Sequence, residues 1–201
     1  DTAQRTRAAY DATAILFQRL TLSASNLGAS QSEILRVVET TQKALQSGGA
    51  TTQEAAAAAI QLSQALGSML EEGLPSIFAR CDRLMRATRA GATAMGLRLV
   101  APDAPSPAVT GVFVPDGVDG GKLQKYLRNT LGVEVAGGQD QFKGRVLRIA
   151  HLGYTGDFDT IVMLSALELA LSRFGVDVEF GRATGAAQKI LVEALPAAAG
   201  A

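Results

Sequence analysis

At 201 residues, with 19 basic and 19 acidic side chains and no net charge, the chain has room for one domain or two small ones. It lacks the basic stripe of a general nucleic-acid or membrane-surface binder. Its one cysteine, Cys81, excludes an internal disulfide and points to a reducing compartment such as cytoplasm. No apolar run approaches the roughly 18 residues that a membrane-spanning helix needs.

The opening stretch, DTAQRTRAAY, is polar, carries no secretory signal and lacks an initiator Met, so it reads as a segment of something longer or as a processed chain. A helix is expected over about 2–26, with Ala9, Ala12, Ile15, Leu16, Leu20 and Leu22 near one face. Gly28 permits a left-handed exit, and Ser30 with Glu33 forms a capping box for a second helix striped by Ile34, Leu35, Val37, Val38, Thr41 and Leu45. Gly48 and Gly49 end it, Thr51 and Glu54 start a third, and Ile60, Leu62, Leu66 and Met69 are the heavier contacts of that Ala-rich rod. No His, Cys or carboxylate cluster accompanies these helices.

The character changes after residue 70. A long helix is expected from Glu71, with Pro75 tolerable in its first turn. Ile77, Leu84 and Met95 suggest its buried stripe, and Arg80, Arg83, Arg86 and Arg89 its wet one. A short strand, LRLV, precedes the Pro-rich connector APDAPSP, and AVTGVFVP alternates like a second strand. DGVDGG turns into the helix KLQKYLRNTLG, VEVAGG extends into the loop QDQFKG, and RVLRIAH is a further strand. A strongly amphipathic helix, capped by Thr155 or Asp157, and a last helix near 183–195 complete the chain. The short loop between VEVAGG and RVLRIAH suits antiparallel pairing. We therefore expect an α+β fold: a three-helix segment, residues 1–70, packed on a small antiparallel or mixed sheet with helices on one face, residues 71–201.

Within RVLRIAH, Arg148 is a fixed charge between Leu147 and Ile149. Alternation puts it on the face shared by Val146 and Ala150. On the residues alone it is either a solvent-facing position of a half-wet sheet or an anion hook at the mouth of a site. Other chemistry is sparse. His151 stands alone, so no two-histidine metal site or serine–histidine relay is available. Cys81 has Arg80 and Arg83 nearby but no base, and Asp157 and Asp159 look like helix-start acids. The glycine-rich stretches lack Walker or dinucleotide spacing, and Lys43, Lys122, Lys125, Lys143 and Lys189 all read as solvated.

The stretch from SPAVTGVFVPDGVDGG through AGGQ to GRVLRIAHLGY and its acidic helix start resembles the small carboxy-terminal domain of class V, pyridoxal-phosphate-dependent aminotransferases, closest to the alanine–glyoxylate branch. The resemblance runs over about 71–180. It implies that Arg148 holds the substrate's α-carboxylate, a task suited to the planar guanidinium fork. The phrases NLGASQ, SGGATTQEA and QLSQALGS, within about 5–68, resemble the amino-terminal helical region of phage tail tape-measure proteins. The aminotransferase resemblance also implies that the Schiff-base lysine, the acidic partner of the pyridinium and the phosphate ligands belong to a large domain. No lysine-centred motif stands here. The resulting expectation is a non-enzymatic chimera, artificial or recombined, with no cofactor, no metal and no catalytic residue. Arg148 would be an inherited, unused carboxylate site. No nucleic-acid or membrane partner is expected, and exposed apolar helix or sheet faces leave homo-oligomers open. The alternatives are a fragment or subunit of an aminotransferase and a phage tail assembly component.

Overall fold

The computed structural model describes residues 67–195, together with Ala58, Gln61 and Ala65. Apart from those three helical residues, the helices expected before residue 67, their packing on the sheet, and Lys43 lie outside the described residues. The chain divides into two compact units, one ending at Ile77 and the other running from Phe78 to Ala201.

Helix α1 spans Leu74–Ala94. It starts three residues later than expected because Gly73 takes φ of 79°, a left-handed conformation that interrupts the helical run. Its buried side is Cys81, Leu84, Met85, Ala87, Thr88, Gly91 and Ala92, so of the three residues expected inside only Leu84 is buried. Gly91 is required by a close approach: a Cβ there would stand 2.6 Å from Leu164 Cδ1. The arginines of the outer side are latches rather than a solvated ladder. Arg80 Nη1 donates to Thr155 O, Arg83 pairs with Asp157 at 3.1 Å, and Arg89 Nη1 donates to Ala101 O at 3.0 Å.

Three strands follow: β1, Val109–Phe113; β2, Ala136–Gly137; and β3, Val146–Ala150. They form one antiparallel sheet in the order β1-β3-β2. The strand expected at LRLV reduces to a single bridge between Leu99 and Val112. The prolines at 102, 105 and 107 deprive the continuing chain of donors, so the pairing stops after Val100 N bonds Gly111 O and Phe113 N bonds Arg98 O.

Helix α2, Gly120–Leu131, is capped by Asp119, whose carboxylate accepts from the Gly121 and Lys122 amides, and it closes on left-handed Gly132. Those amide bonds hold the Asp119 carboxyl below its ordinary range. Helix α3, Asp157–Arg173, is capped by neither Thr155 nor Asp157. Gly156 is the cap residue, and its amide donates to the Asp159 carboxylate at 2.7 Å, while the Thr155 hydroxyl is turned to Leu152 O. Nor is α3 strongly amphipathic: Leu164, Leu167 and Leu171 are buried, but Phe158, Val162 and Leu169 are exposed. Helix α4, Arg182–Leu191, and a 3-10 turn, Val192–Ala194, occupy the place expected for the last helix.

Val112, Leu147 and Ile149 on one face of the sheet join Leu84, Leu123, Leu127, Leu164, Leu167 and Leu171 of the helices in a single core. Each such side chain contributes about 1.5–3 kcal/mol by leaving water. The expected α+β class, with a small antiparallel sheet and helices on one face, is what these residues form.

Candidate functional site

The opposite face of the sheet carries Gly111, Phe113, Val146 and Arg148. Arg148 is flanked by the smallest neighbours available, Gly111 across the β1 ladder and Ala136 across the β2 ladder. Its long side chain therefore stands in a gap. Over that gap opens a cavity of about 430 Å³, whose apolar wall is Val100, Val109, Phe142 and Val146. Phe142 is held there by an edge-to-face contact with Phe113, centroids 6.2 Å apart, and Arg98 lies 4.7 Å above the Phe113 ring.

Arg148 is half-buried, and its Nε donates to Gly137 O at 2.8 Å. That bond fixes the plane of the guanidinium. The two Nη groups have no partner among the described residues, which leaves a pre-aimed pair of donors for a planar anion. Arg89 also lines the cavity, but its Nη1 and Nη2 are taken by the carbonyls of Ala101 and Pro102. Its role is to hold the Pro-rich connector against the cavity. The geometry thus separates a tied arginine from an available one.

His151 continues β3 on the core side and is almost fully enclosed. Its Nε2 shares a hydrogen bond with Thr110 Oγ1 at 2.9 Å, and its carbonyl accepts the Cys81 thiol at 3.4 Å. Burial pushes its pKa down to about 4, so at neutral pH it is an uncharged structural group. Cys81 is a core thiol facing a carbonyl. Asp157 and Asp159 are helix-start acids, one paired with Arg83 and the other capping. Among the described residues, no group of His, Cys, Asp and Glu could hold a metal ion.

A lysine that could meet a pyridoxal aldehyde is also missing from the cavity wall. Lys122, Lys125, Lys143 and Lys189 are all exposed, and none lines the cavity. The described residues therefore do not fit the covalent anchoring of that cofactor.

Sequence reasoning missed two contributors. Glu168 is a buried carboxylate that accepts from Gly181 N at 2.9 Å and Ala183 N at 2.7 Å, pinning the start of α4. Gln124 of α2 donates from Nε2 to Val135 O at 2.8 Å, just before β2. Neither has a local signature, because both partners are long-range backbone groups.

The family model described as Tape measure protein matches residues 1–95. The soluble hydrogenase small subunit of Synechococcus sp. (strain PCC 6716) is 42% identical over 132 residues, which is 65% of this chain and 34% of that protein. An uncharacterized aminotransferase of Methanocaldococcus jannaschii is 40% identical over 119 residues, 59% of this chain and 31% of the other. Among solved structures, the ureidoglycine–glyoxylate aminotransferase of Bacillus subtilis aligns with a TM-score of 0.60 and 34% identity, covering 71% of this chain and 36% of that one. The chain spans about a third of the length of the curated relatives it matches.

These matches overturn the expectation of an artificial chimera without function, and with it the expectation that the chain is not an enzyme. Likeness of this strength, recurring in aminotransferases from separate organisms, supports a genuine aminotransferase-family domain. A stretch about one third the length of its relatives need not contain every group that a reaction uses, the Schiff-base lysine included. The amino-terminal region matches the tape-measure family, and the carboxy-terminal region is similar to class V aminotransferases in both sequence and fold.

Proposed function

We propose that this chain provides the substrate-carboxylate side of a class V aminotransferase, as a fragment or subunit of an enzyme of the alanine–glyoxylate type, with Arg148 as the carboxylate ligand. One observation carries the reading. Arg148 Nε is fixed by Gly137 O, its Nη groups have no partner among the described residues, and the residue lines a cavity with small residues on either side. A bidentate grip on a carboxylate needs that arrangement, and a solvent-facing strand arginine does not. The similarity to a glyoxylate-using aminotransferase supports a small amino acid and a small keto acid as the substrate pair. In that enzyme, pyridoxal phosphate would supply the electron sink when bound. This chain's contribution is to bind and orient the carboxylate, with the apolar cavity wall reducing competition from water.

Titration of the ¹⁵N-labelled chain with pyruvate and with L-alanine tests this. Saturable movement of the Arg148 side-chain signals is expected, with binding weakened roughly ten- to a hundredfold in Arg148→Met, the range for a lost charge-assisted pair. Unchanged Arg148 signals at saturating carboxylate would remove the proposal.

A second reading rests on the tape-measure match over residues 1–95. In it, residues 1–70 form a separate helical segment serving assembly, and residues 71–201 form the aminotransferase-like domain. Sedimentation of the full chain should then show self-association that rises with concentration. A monomer throughout would count against it.

A further inference from the structure

Arg148 owes its aim to a single carbonyl, so what holds that carbonyl in place matters. Gly137 belongs to β2, which has only two ladder positions, Ala136 opposite Arg148 and Gly137 opposite Leu147. So short a strand is weakly fixed by pairing alone. Its far side is secured by the Gly138 amide, which donates to Val146 O at 2.8 Å. Its near side is secured from outside the sheet, by Gln124 of α2 donating from Nε2 to Val135 O at 2.8 Å. The same Gln124 amide lies along the strand: a Cβ built on Gly137 would stand 3.0 Å from Gln124 Oε1. The Gln124 amide therefore both anchors the residue entering β2 and packs against the residue whose carbonyl orients Arg148.

We infer that Gln124 is a positioning residue for the carboxylate site, acting on Arg148 through Val135 and the Gly137 carbonyl. The inference rests on the reading of Arg148 as a carboxylate ligand, but its first consequence does not require a ligand. When Gln124 is anchored, Gly137 O stays within reach of Arg148 Nε and the guanidinium keeps one plane. When Gln124 cannot donate, β2 drifts from α2, the Nε–H bond opens more often, and the Nη pair loses its fixed direction. A side chain at position 137 should disturb the same contact from the other end, because it would press on the Gln124 amide.

The experiment measures exchange of the Arg148 Nε–H with water in the ligand-free 201-residue chain, and then pyruvate affinity, for the unsubstituted protein, for two variants that lose the donor and for one that restores a donor. Gln124→Met keeps the length and removes the donor, and Gln124→Glu keeps the shape and reverses the interaction with Val135 O. Both variants change a half-exposed position, so melting temperature is recorded alongside and should move little. The expected result is Nε–H exchange faster by about fivefold in each variant, the scale of one hydrogen bond, with pyruvate binding weaker by a similar factor. Gln124→Lys, which restores a donor, should recover part of both. A general loss of packing would speed exchange across α2 and β3 alike, whereas the positioning role changes the Arg148 Nε–H selectively. Unchanged Nε–H exchange in Gln124→Met and Gln124→Glu overturns the inference, whatever pyruvate does. Changed exchange with no pyruvate binding to the natural chain sustains the positioning of Arg148 and overturns only the carboxylate reading.

Discussion

The two faces of the three-stranded sheet share a backbone and differ in what they are filled with. On one, Leu147 and Ile149 meet Val112 and the helices, and the space is closed. On the other, Arg148 stands between Gly111 and Ala136 under a cavity of about 430 Å³. Neighbouring residues of one strand thus serve opposite ends, separated only by the alternation of the pleat. A shift of register by one residue would exchange the two faces, burying the guanidinium and exposing the leucine. The closed face fixes the register, and the register aims the arginine.

Truncation on the closed face should have the largest effect. Leu147 is 2% exposed within the core, so Leu147→Ala should cost about 3–4 kcal/mol, read as a fall in the urea midpoint. A cost below about 1 kcal/mol would mean that the face is not closed as described. The same face ends in His151, a titratable group hydrogen-bonded to Thr110, and there the contrast shows in pH. Because burial lowers the folded-state pKa to about 4 from an ordinary 6.5, the unfolded chain binds a proton first as pH falls. Stability is therefore full above about pH 6.5, declines between there and pH 4, and levels off below, with about 3 kcal/mol as the upper bound. His151→Gln should flatten this segment of the stability–pH curve, and an unchanged slope would show that His151 is not the group responsible.

Much of this arrangement was legible in the sequence, for physical reasons that differ by region. The β-branched alternation of AVTGVFVP and RVLRIAH encodes a face, so the placement of Arg148 with Val146 and Ala150, opposite Leu147 and Ile149, follows from period two. DGVDGG reads as a turn that hands over to a helix, and a helix follows it, with Asp119 as the cap that the structure adds. What was not legible depends on distant partners. The buried side of α1 follows Cys81, Leu84, Met85 and Thr88 rather than Ile77 and Met95, and its partners are distant in the chain: Leu164 lies against Gly91 and the His151 carbonyl accepts the Cys81 thiol. Arg80 and Arg83 looked solvated because Thr155 and Asp157 lie more than seventy residues away in the chain. At the site, the residue type and the face of Arg148 were readable, whereas the Gly137 carbonyl that orients it and the Gln124 amide behind β2 were not.

A smaller effect is expected where the open face is kept open. A Cβ at Gly111 would stand 3.0 Å from Val100 Cγ2, tighter than ordinary contact. Gly111→Val should therefore displace Val100 from the cavity wall and cost about 1–2 kcal/mol by overpacking. It should also weaken carboxylate binding, since the new side chain grows beside Arg148. If carboxylate affinity survives intact, the gap at Gly111 has no part in the site.

The smallest change in stability is expected at Arg148 itself, one position from the costliest. Its guanidinium is half-buried, donates one hydrogen bond to a backbone carbonyl, and lies outside the packed core. Arg148→Met retains most of the apolar stem and gives up that bond, a net loss under about 1 kcal/mol. The urea midpoint should barely move, while carboxylate binding weakens roughly ten- to a hundredfold. Adjacent residues would then divide the work of one strand, Leu147 supporting the fold and Arg148 the ligand. A loss of stability at 148 comparable to that at 147 would mean that the arginine is a structural member of the sheet, and the distinction between the two faces would fail at the residue where it matters most.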